Sequence, residues 1–365
     1  MSLVRIAVVS SLIVSGCVGD AEEELGTTAQ EAKAQPGVDS DECPPWACGS
    51  NSPIIDFAGF HELYKKNVPN LEGFMITAFR KQVGVNWVPY NAEVINGGLV
   101  AKNDAGTIIY SGSGVVGMVF TITRGASTYY MKVVDVSRAP LWAKVGGVTR
   151  VTPTYKLTWS TTLVSGTLGT PVCGVSTEPD GIDDYYAVLF ENDRIDADAI
   201  KVTGETPGWF NVGCAGHLLA KSHLMGYTHA AAAIMGVPTP SLNARSAVDK
   251  AISADYCKGG NPMTVAGVPL HFKDSTNRMN NLGSNTHLEA RWNENGAICL
   301  NTPRVDWTWT VAGFQQFPGG VEPLLVGPPM GKWCTGAAGT KLRPPPCTNV
   351  DLNYFQGGYI LTVEE

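Results

Sequence analysis

Charge is scarce in this sequence: Asp, Glu, Lys and Arg make up 16% of the 365 residues, and the basic side is the weaker, with 26 Lys and Arg against 33 Asp and Glu. A net charge of −7 repels phosphate backbones, which argues against nucleic acid as a partner. Complete catalytic motifs are missing too. Gly112 and Gly114 flank Ser113, but Ser111 stands where a nucleophile elbow needs its first glycine. His217, His223 and His229 are spaced by six residues, which sets them on different sides of a helix, whereas a shared zinc needs neighbours such as i and i+4. The acidic runs Asp180, Asp183, Asp184 and Asp193, Asp196, Asp198 lack an EF-hand's central glycine and terminal glutamate, and read as solvated turns. No metal and no cofactor is implied.

What is present is turn chemistry and short strands. With 41 Gly, 23 Pro and 44% apolar residues, the balance is that of a secreted, strand-rich protein. Runs at 74–79, 99–101, 107–110, 115–123, 128–136, 155–159, 185–190 and 358–363 are β-rich and bounded by turn residues, and Asp104-Ala-Gly106 marks a hairpin. The expected fold class is α+β and predominantly β: antiparallel strands in a sandwich- or barrel-like sheet, with a two-helix insert and disulfide staples.

The N-terminus carries Arg5, the apolar run Ile6–Val14 and then Ser15-Gly16-Cys17. Such a run is too short to span a bilayer and suits a signal-peptide core. Small residues before a cysteine resemble the lipobox of bacterial lipoproteins, which makes Cys17 a lipid-attachment site; the alternative is an ordinary secretory signal. Residues 18–42 hold eight acids against Lys33 and little apolar surface, as a flexible tether would. Setting Cys17 aside leaves Cys43, Cys48, Cys173, Cys214, Cys257, Cys299, Cys334 and Cys347, an even set suited to an oxidising compartment. Cys43 and Cys48 enclose four residues, two of them proline, so a structural disulfide is favoured over a Cys-x-x-Cys redox pair.

Two helices are expected, Gly213–Tyr227 and Leu242–Lys258. In the first, Ala215, Leu218, Leu219, Ser222 and Met225 share a face. In the second, Ala244, Ala247, Val248, Ala251, Ile252 and Asp255 do, Arg245 and Asp249 form a weak i, i+4 pair, and Gly259-Gly260 supply the left-handed cap. Asp255 continues the apolar side by one turn, so its carboxylate either points inward, where it needs donors, or sits in the helix's final turn, where the negative end of the dipole disfavours it. The block Ala254-Asp255-Tyr256-Cys257, with Gly213-Cys214-Ala215-Gly216 and Ala220-Lys221 before it and Gly267-Val-Pro-Leu270 and Glu289–Leu300 after it, resembles the bacterial ADYC-domain family over roughly residues 150 to 310. That family consists largely of secreted or lipid-anchored proteins of unknown function, and the resemblance carries no catalytic residue. Where relatives often have a further cysteine after Ala-Lys, this chain has Ser222. We expect the pairs Cys43–Cys48, Cys173–Cys214, Cys257–Cys299 and Cys334–Cys347.

The chain therefore divides into a signal peptide (1–16), the tether (17–42), an N-terminal β-rich region (43–150), the ADYC-like segment (151–315) and a C-terminal Pro/Gly-rich loop with a closing strand (316–365). The expected function is a non-catalytic lipoprotein of the cell envelope, anchored to the membrane through Cys17 and acting as a binding or structural module, with Trp307 and Trp309 as a possible ligand platform. The rival is an envelope hydrolase that uses Asp255 with His217 or His229; a third reading is redox sensing at Cys257.

Overall fold

Runs of alternating and β-branched residues dominate the chain, and strands follow from them. The computed structural model describes residues 49–50, 61–163, 169–174, 182–256, 264, 269–280, 287–302, 334–335, 341–342, 344–348, 351, 353, 355 and 358–363. Cys17, the tether, Cys43, Cys48, Cys257, Gly259, Gly260, Trp307 and Trp309 lie outside the described residues. In chain order the strands are β1 (Gly49–Ser50), β2 (Glu62–Tyr64), β3 (Met75–Val83), β4 (Asn86–Ile95), β5 (Gly98–Lys102), β6 (Ile108–Tyr110), β7 (Met118–Arg124), β8 (Ser127–Val145), β9 (Val148–Ser160), β10 (Thr170–Pro171), β11 (Tyr186–Asp196) and β12 (Lys201–Cys214). Helices α1 (Leu218–Leu224), α2 (His229–Met235) and α3 (Leu242–Ser253) come next. After them lie β13 (Pro269–Asp274), β14 (Leu288–Asn293), β15 (Gly296–Leu300), β16 (Cys334–Thr335), β17 (Lys341–Leu342) and β18 (Ile360–Val363).

The larger sheet runs β2-β12-β11-β9-β8-β7-β3-β4-β5-β6, with β10 beside β9; the second runs β1-β13-β18-β14-β15. The pairings are antiparallel, so the fold is α+β and predominantly β. β9 passes through residue 150 without a break, and the N-terminal strands share one sheet with those that lead into the helices.

Residues 186–191 of β11 are buried on both faces, as expected of a strand with cover on either side. Ala187 and Leu189 face a core with Phe79, Phe120, Leu157 and Phe210. Tyr186, Val188 and Phe190 face a second core, shared with the helices and with Phe272 and Trp292 of the smaller sheet. α3 thus sits between β12 and β14.

The larger sheet also curls back on itself. The β4–β5 turn reaches β11, where Glu191 accepts from the backbone N–H groups of Asn96 (2.8 Å) and Gly97 (3.1 Å). Beside it the buried Tyr155 hydroxyl accepts from Leu99 N at 2.7 Å.

The helical insert differs from the expected pair of helices. Gly213 and Cys214 belong to β12, opposite Val188 and Ala187, and α1 starts only after extended backbone at His217. It ends at Leu224, and just beyond it the chain turns at Gly226 (φ +83), where a Cβ would meet Met235 Cε at 2.5 Å and Ala143 Cβ at 2.9 Å. A further helix, α2, then begins at Thr228, whose side chain accepts from Ala231 N; its alanine run has no periodicity to announce it.

Among the described residues two disulfides are seen. Cys173–Cys214 joins the segment after β10 to the end of β12, as expected. Cys299 pairs with Cys347, which overturns both Cys257–Cys299 and Cys334–Cys347: β15 and the segment before Cys347 run together, with Leu300 N donating to Pro345 O and Cys347 N to Asn301 Oδ1.

Replacing Glu191 by Ala should remove two charge-assisted bonds and lower stability by about 3 kcal/mol. A urea midpoint unchanged from the parent protein would show that the β4–β5 turn needs no such latch.

Candidate functional site

The tetrapeptide that marks this chain sits at the C-terminal end of α3. Ser241 caps the other end, accepting from Ala244 N at 3.2 Å, after Pro238 and Pro240 have barred an earlier start. The helix stops at Ser253 instead of running to Lys258, and Ala254, not a glycine, takes the left-handed conformation (φ 53, ψ 42). Ala254 N donates to Ala251 O and Asp255 N to Lys250 O, which is the paired bonding of a Schellman motif. Such a motif usually adds an apolar contact between the residues at its two ends. Here that contact is an ion pair, Lys250 Nζ with Asp255 Oδ2, and the Asp255 side chain is 0% exposed. Lys250 Nζ also donates to Ala199 O, and as a cation in the last turn it offsets the negative end of the helix dipole.

Tyr256 follows, fully buried, its ring stacked on Trp292 at 5.2 Å and its hydroxyl donating to Glu289. Trp292 Nε1 in turn donates to Thr362 Oγ1 at 2.9 Å. The motif therefore ties the helix to β14 and β18. Cys257 lies outside the described residues.

The opposite flank of α3 is buried as well. Arg245 and Asp249 do not pair with each other as expected: Arg245 holds Asp193 and Glu205, and the Ser222 hydroxyl of α1 donates to Asp249. Asp193, expected as a solvated turn residue, is 1% exposed. Burial pushes its carboxyl up to about 7 against the attraction of Arg245. Burial raises Asp249 to about 7 as well, opposed by the Ser222 hydroxyl, Lys250 and Arg245. This network escaped sequence reading because its members come from β11, β12, α1 and α3, and only Arg245 and Asp249 share a helix.

The histidines are engaged elsewhere. His223 is enclosed, its nitrogens bonded to Thr152 Oγ1 (2.8 Å) and Thr228 Oγ1 (2.7 Å) and its ring stacked on Phe190. Burial pushes its pKa down to about 3. His229 Nδ1 meets Thr239 Oγ1 at 3.3 Å. His217, at the start of α1, is pushed down to about 4 by burial and then by Lys221. Among the described residues no group of three His, Cys, Asp or Glu side chains is placed to hold a metal.

A family model described as the ADYC domain matches residues 112–306, just over half of the chain. The chain belongs to the ADYC domain family. No curated protein and no solved structure matches it. The ADYC match begins well ahead of residue 150: it takes in β7 to β12, all three helices and β13 to β15, while β2 to β6 precede it. The described letters of the ADYC tetrapeptide each serve a physical end. The alanine is a small residue in a left-handed turn, the aspartate gives a carboxylate to the lysine beneath it, and the tyrosine supplies a ring to stack on the facing sheet.

Truncating Asp255 to Ala would strand the Lys250 ammonium in the interior and should cost about 3–5 kcal/mol. The double variant Lys250→Met/Asp255→Leu should recover most of that loss in urea melts; a double variant as unstable as Asp255→Ala would show that charge is needed at the cap.

The pH dependence has two opposed sources. A carboxyl raised in the folded state adds stability at acid pH that is lost as pH rises through its folded value, here about 7 for Asp193 and Asp249. A histidine lowered to about 3 or 4 adds stability at neutral pH that is lost as pH falls below 6.5. Asp249→Asn keeps an acceptor for Ser222 and removes one acid contribution. Its melting temperature should climb more steeply than the parent's between pH 4.5 and 6.5, roughly the window in which the two sources overlap. Parallel curves would mean that Asp249 is ionised throughout.

Proposed function

We propose that this ADYC protein is a non-catalytic lipoprotein of the bacterial cell envelope, a binding or structural module held to the membrane through Cys17. The observation that carries the non-catalytic reading is the burial of Asp255. A general acid or base has to reach its substrate, and a carboxylate enclosed at 0% exposure and ion-paired to Lys250 does not. Of the two histidines that the hydrolase reading would use, His229 is hydrogen-bonded to Thr239, and burial pushes the pKa of His217 down to about 4, below the range of a general base at neutral pH. Raised carboxyls at Asp193 and Asp249 do not restore the hydrolase, because structural ion networks perturb pKa values just as active sites do.

The envelope reading rests on the lipobox-like Ser15-Gly16-Cys17, the acidic segment behind it and the two disulfides, which persist in oxidising compartments. Acyl chains on Cys17 would stabilise attachment by roughly 0.8 kcal/mol per buried CH₂.

Expression in a bacterium fed an alkyne fatty acid tests the anchor. The chain should take up the label and sediment with membranes, and Cys17→Ser should lose the label and become soluble. An unlabelled parent chain would leave an ordinary secreted protein in place of the lipoprotein.

A further inference from the structure

The strands ahead of the ADYC match build a concavity of their own. It is a groove of about 270 Å³ at the seam between the segment after β2 and the β4–β5 strands. Small-molecule sites are concave, and typical pockets run to roughly 300–1,000 Å³. This groove thus suits a compact ligand of one or two rings.

Ile76, Phe79 and Ala92 line it and are buried, so they form its apolar floor. The half-buried ring of Tyr90 stands beside them, held edge-on against Tyr110 at 5.4 Å. Above the floor the chemistry changes to hydrogen-bonding and charged groups. Asn91 and Asn103 bring amides; the Asn91 amide donates to Asp104 Oδ1 at 3.2 Å and so orients that carboxylate. Lys102 is ion-paired to Glu93. Lys65 and Lys66 are exposed and complete the rim.

The three lysines outnumber the two carboxylates, in a protein whose overall charge is −7. The excess sits at Lys65 and Lys66, and their loop is pinned on both sides. Lys65 N donates to Gly208 O (2.9 Å) and Asn67 N to Ile76 O (2.7 Å). A Cβ at Gly208 would meet the Tyr64 ring at 2.9 Å and Lys65 Cδ at 3.3 Å, so the lysine stem lies along bare backbone.

Taken together, the geometry points to a binding site for an acidic sugar, a uronate of one or two residues. An apolar floor and an aromatic ring suit the C–H face of a pyranose. Asn91, Asn103 and Asp104 match its hydroxyls, and the Lys65–Lys66 pair matches its carboxylate. A fatty acid would need a long apolar slot in place of this polar rim. A multiply charged phosphate would meet Glu93 and Asp104 with too little cation to balance both. This assignment rests on the reading of the chain as a binding module and names its ligand class.

Calorimetric titration of the purified full chain with digalacturonate, and with the neutral galactose disaccharide, tests it. The acidic sugar should bind one to one and weaken as salt rises, and the neutral sugar should bind at least tenfold less well. Lys65→Gln/Lys66→Gln changes exposed side chains, keeps the melting temperature and should lose about tenfold in affinity. The assignment is overturned by an absence of saturable binding, by equal affinity for the neutral sugar or in the double variant, or by tighter binding of a short polyglutamate peptide. Mass spectrometry of the same mixture separates the two levels: cleaved digalacturonate would overturn the non-catalytic reading, whereas intact but unbound sugar overturns only the ligand class.

Discussion

A buried ion pair between Lys250 and Asp255 closes the last turn of α3, and the junction between helices and sheets is built outward from it. Burying either charge alone would cost several kcal/mol. Together they replace the apolar contact that normally closes a Schellman turn, and Lys250 donates a further hydrogen bond to Ala199 O. With the helix stopped at Ser253, the chain turns inward two residues later, and Tyr256 lands on Trp292. An apolar pair in the same place would pack as well or better. What the charged pair adds is direction, since a lysine and an aspartate join only when the turn between them has the right shape.

β11 serves the rest of the molecule as a shared wall. Its alternating side chains feed both cores, and two of its carboxylates have different destinations. Glu191 latches the β4–β5 turn, while Asp193 meets Arg245 of α3. Two residues apart on a regular strand they would face the same way. Between them lies Asn192 at φ +73, where the pairing with β12 slips. A bulge of this kind re-aims the side chains beyond it, and it sends one carboxylate to the curled sheet and the other to the helices.

The predominance of β-structure, the strands with plain alternation, the position of the second helix and the Cys173–Cys214 staple were legible in the sequence. β4 and β12 were not, because Pro89 and Pro207 interrupt their patterns. Pro89 is tolerated since β5 pairs with β4 only from Asn91 onward, and Pro207 since it lies in the pairing gap between Glu205 and Phe210. α2 is too short and too uniformly alanine to show a period. The pairing of Cys299 with Cys347 depends on a return of the chain across the smaller sheet, which no local spacing reports. Asp255 was recognisable as a carboxylate turned inward, but its partner was not: Lys250 is five residues back, and only the left-handed turn at Ala254 brings the two together.

The overall scarcity of charge in the sequence takes on a different meaning once the interior is seen. Arg245, Arg291, Lys250, Asp249, Asp255 and Glu289 are all buried, although such side chains are almost never enclosed unless paired. A chain with few charges has placed many of them inside the ADYC region as fasteners between elements. Perturbed carboxyls there record the cost of enclosure, and read alone they would suggest an active site where the geometry offers no access. The groove of the preceding strands has the opposite character: Lys65 and Lys66 stay in water, next to an apolar floor. The buried charges specify the shape of the protein, and the exposed ones are where an outside molecule can be met.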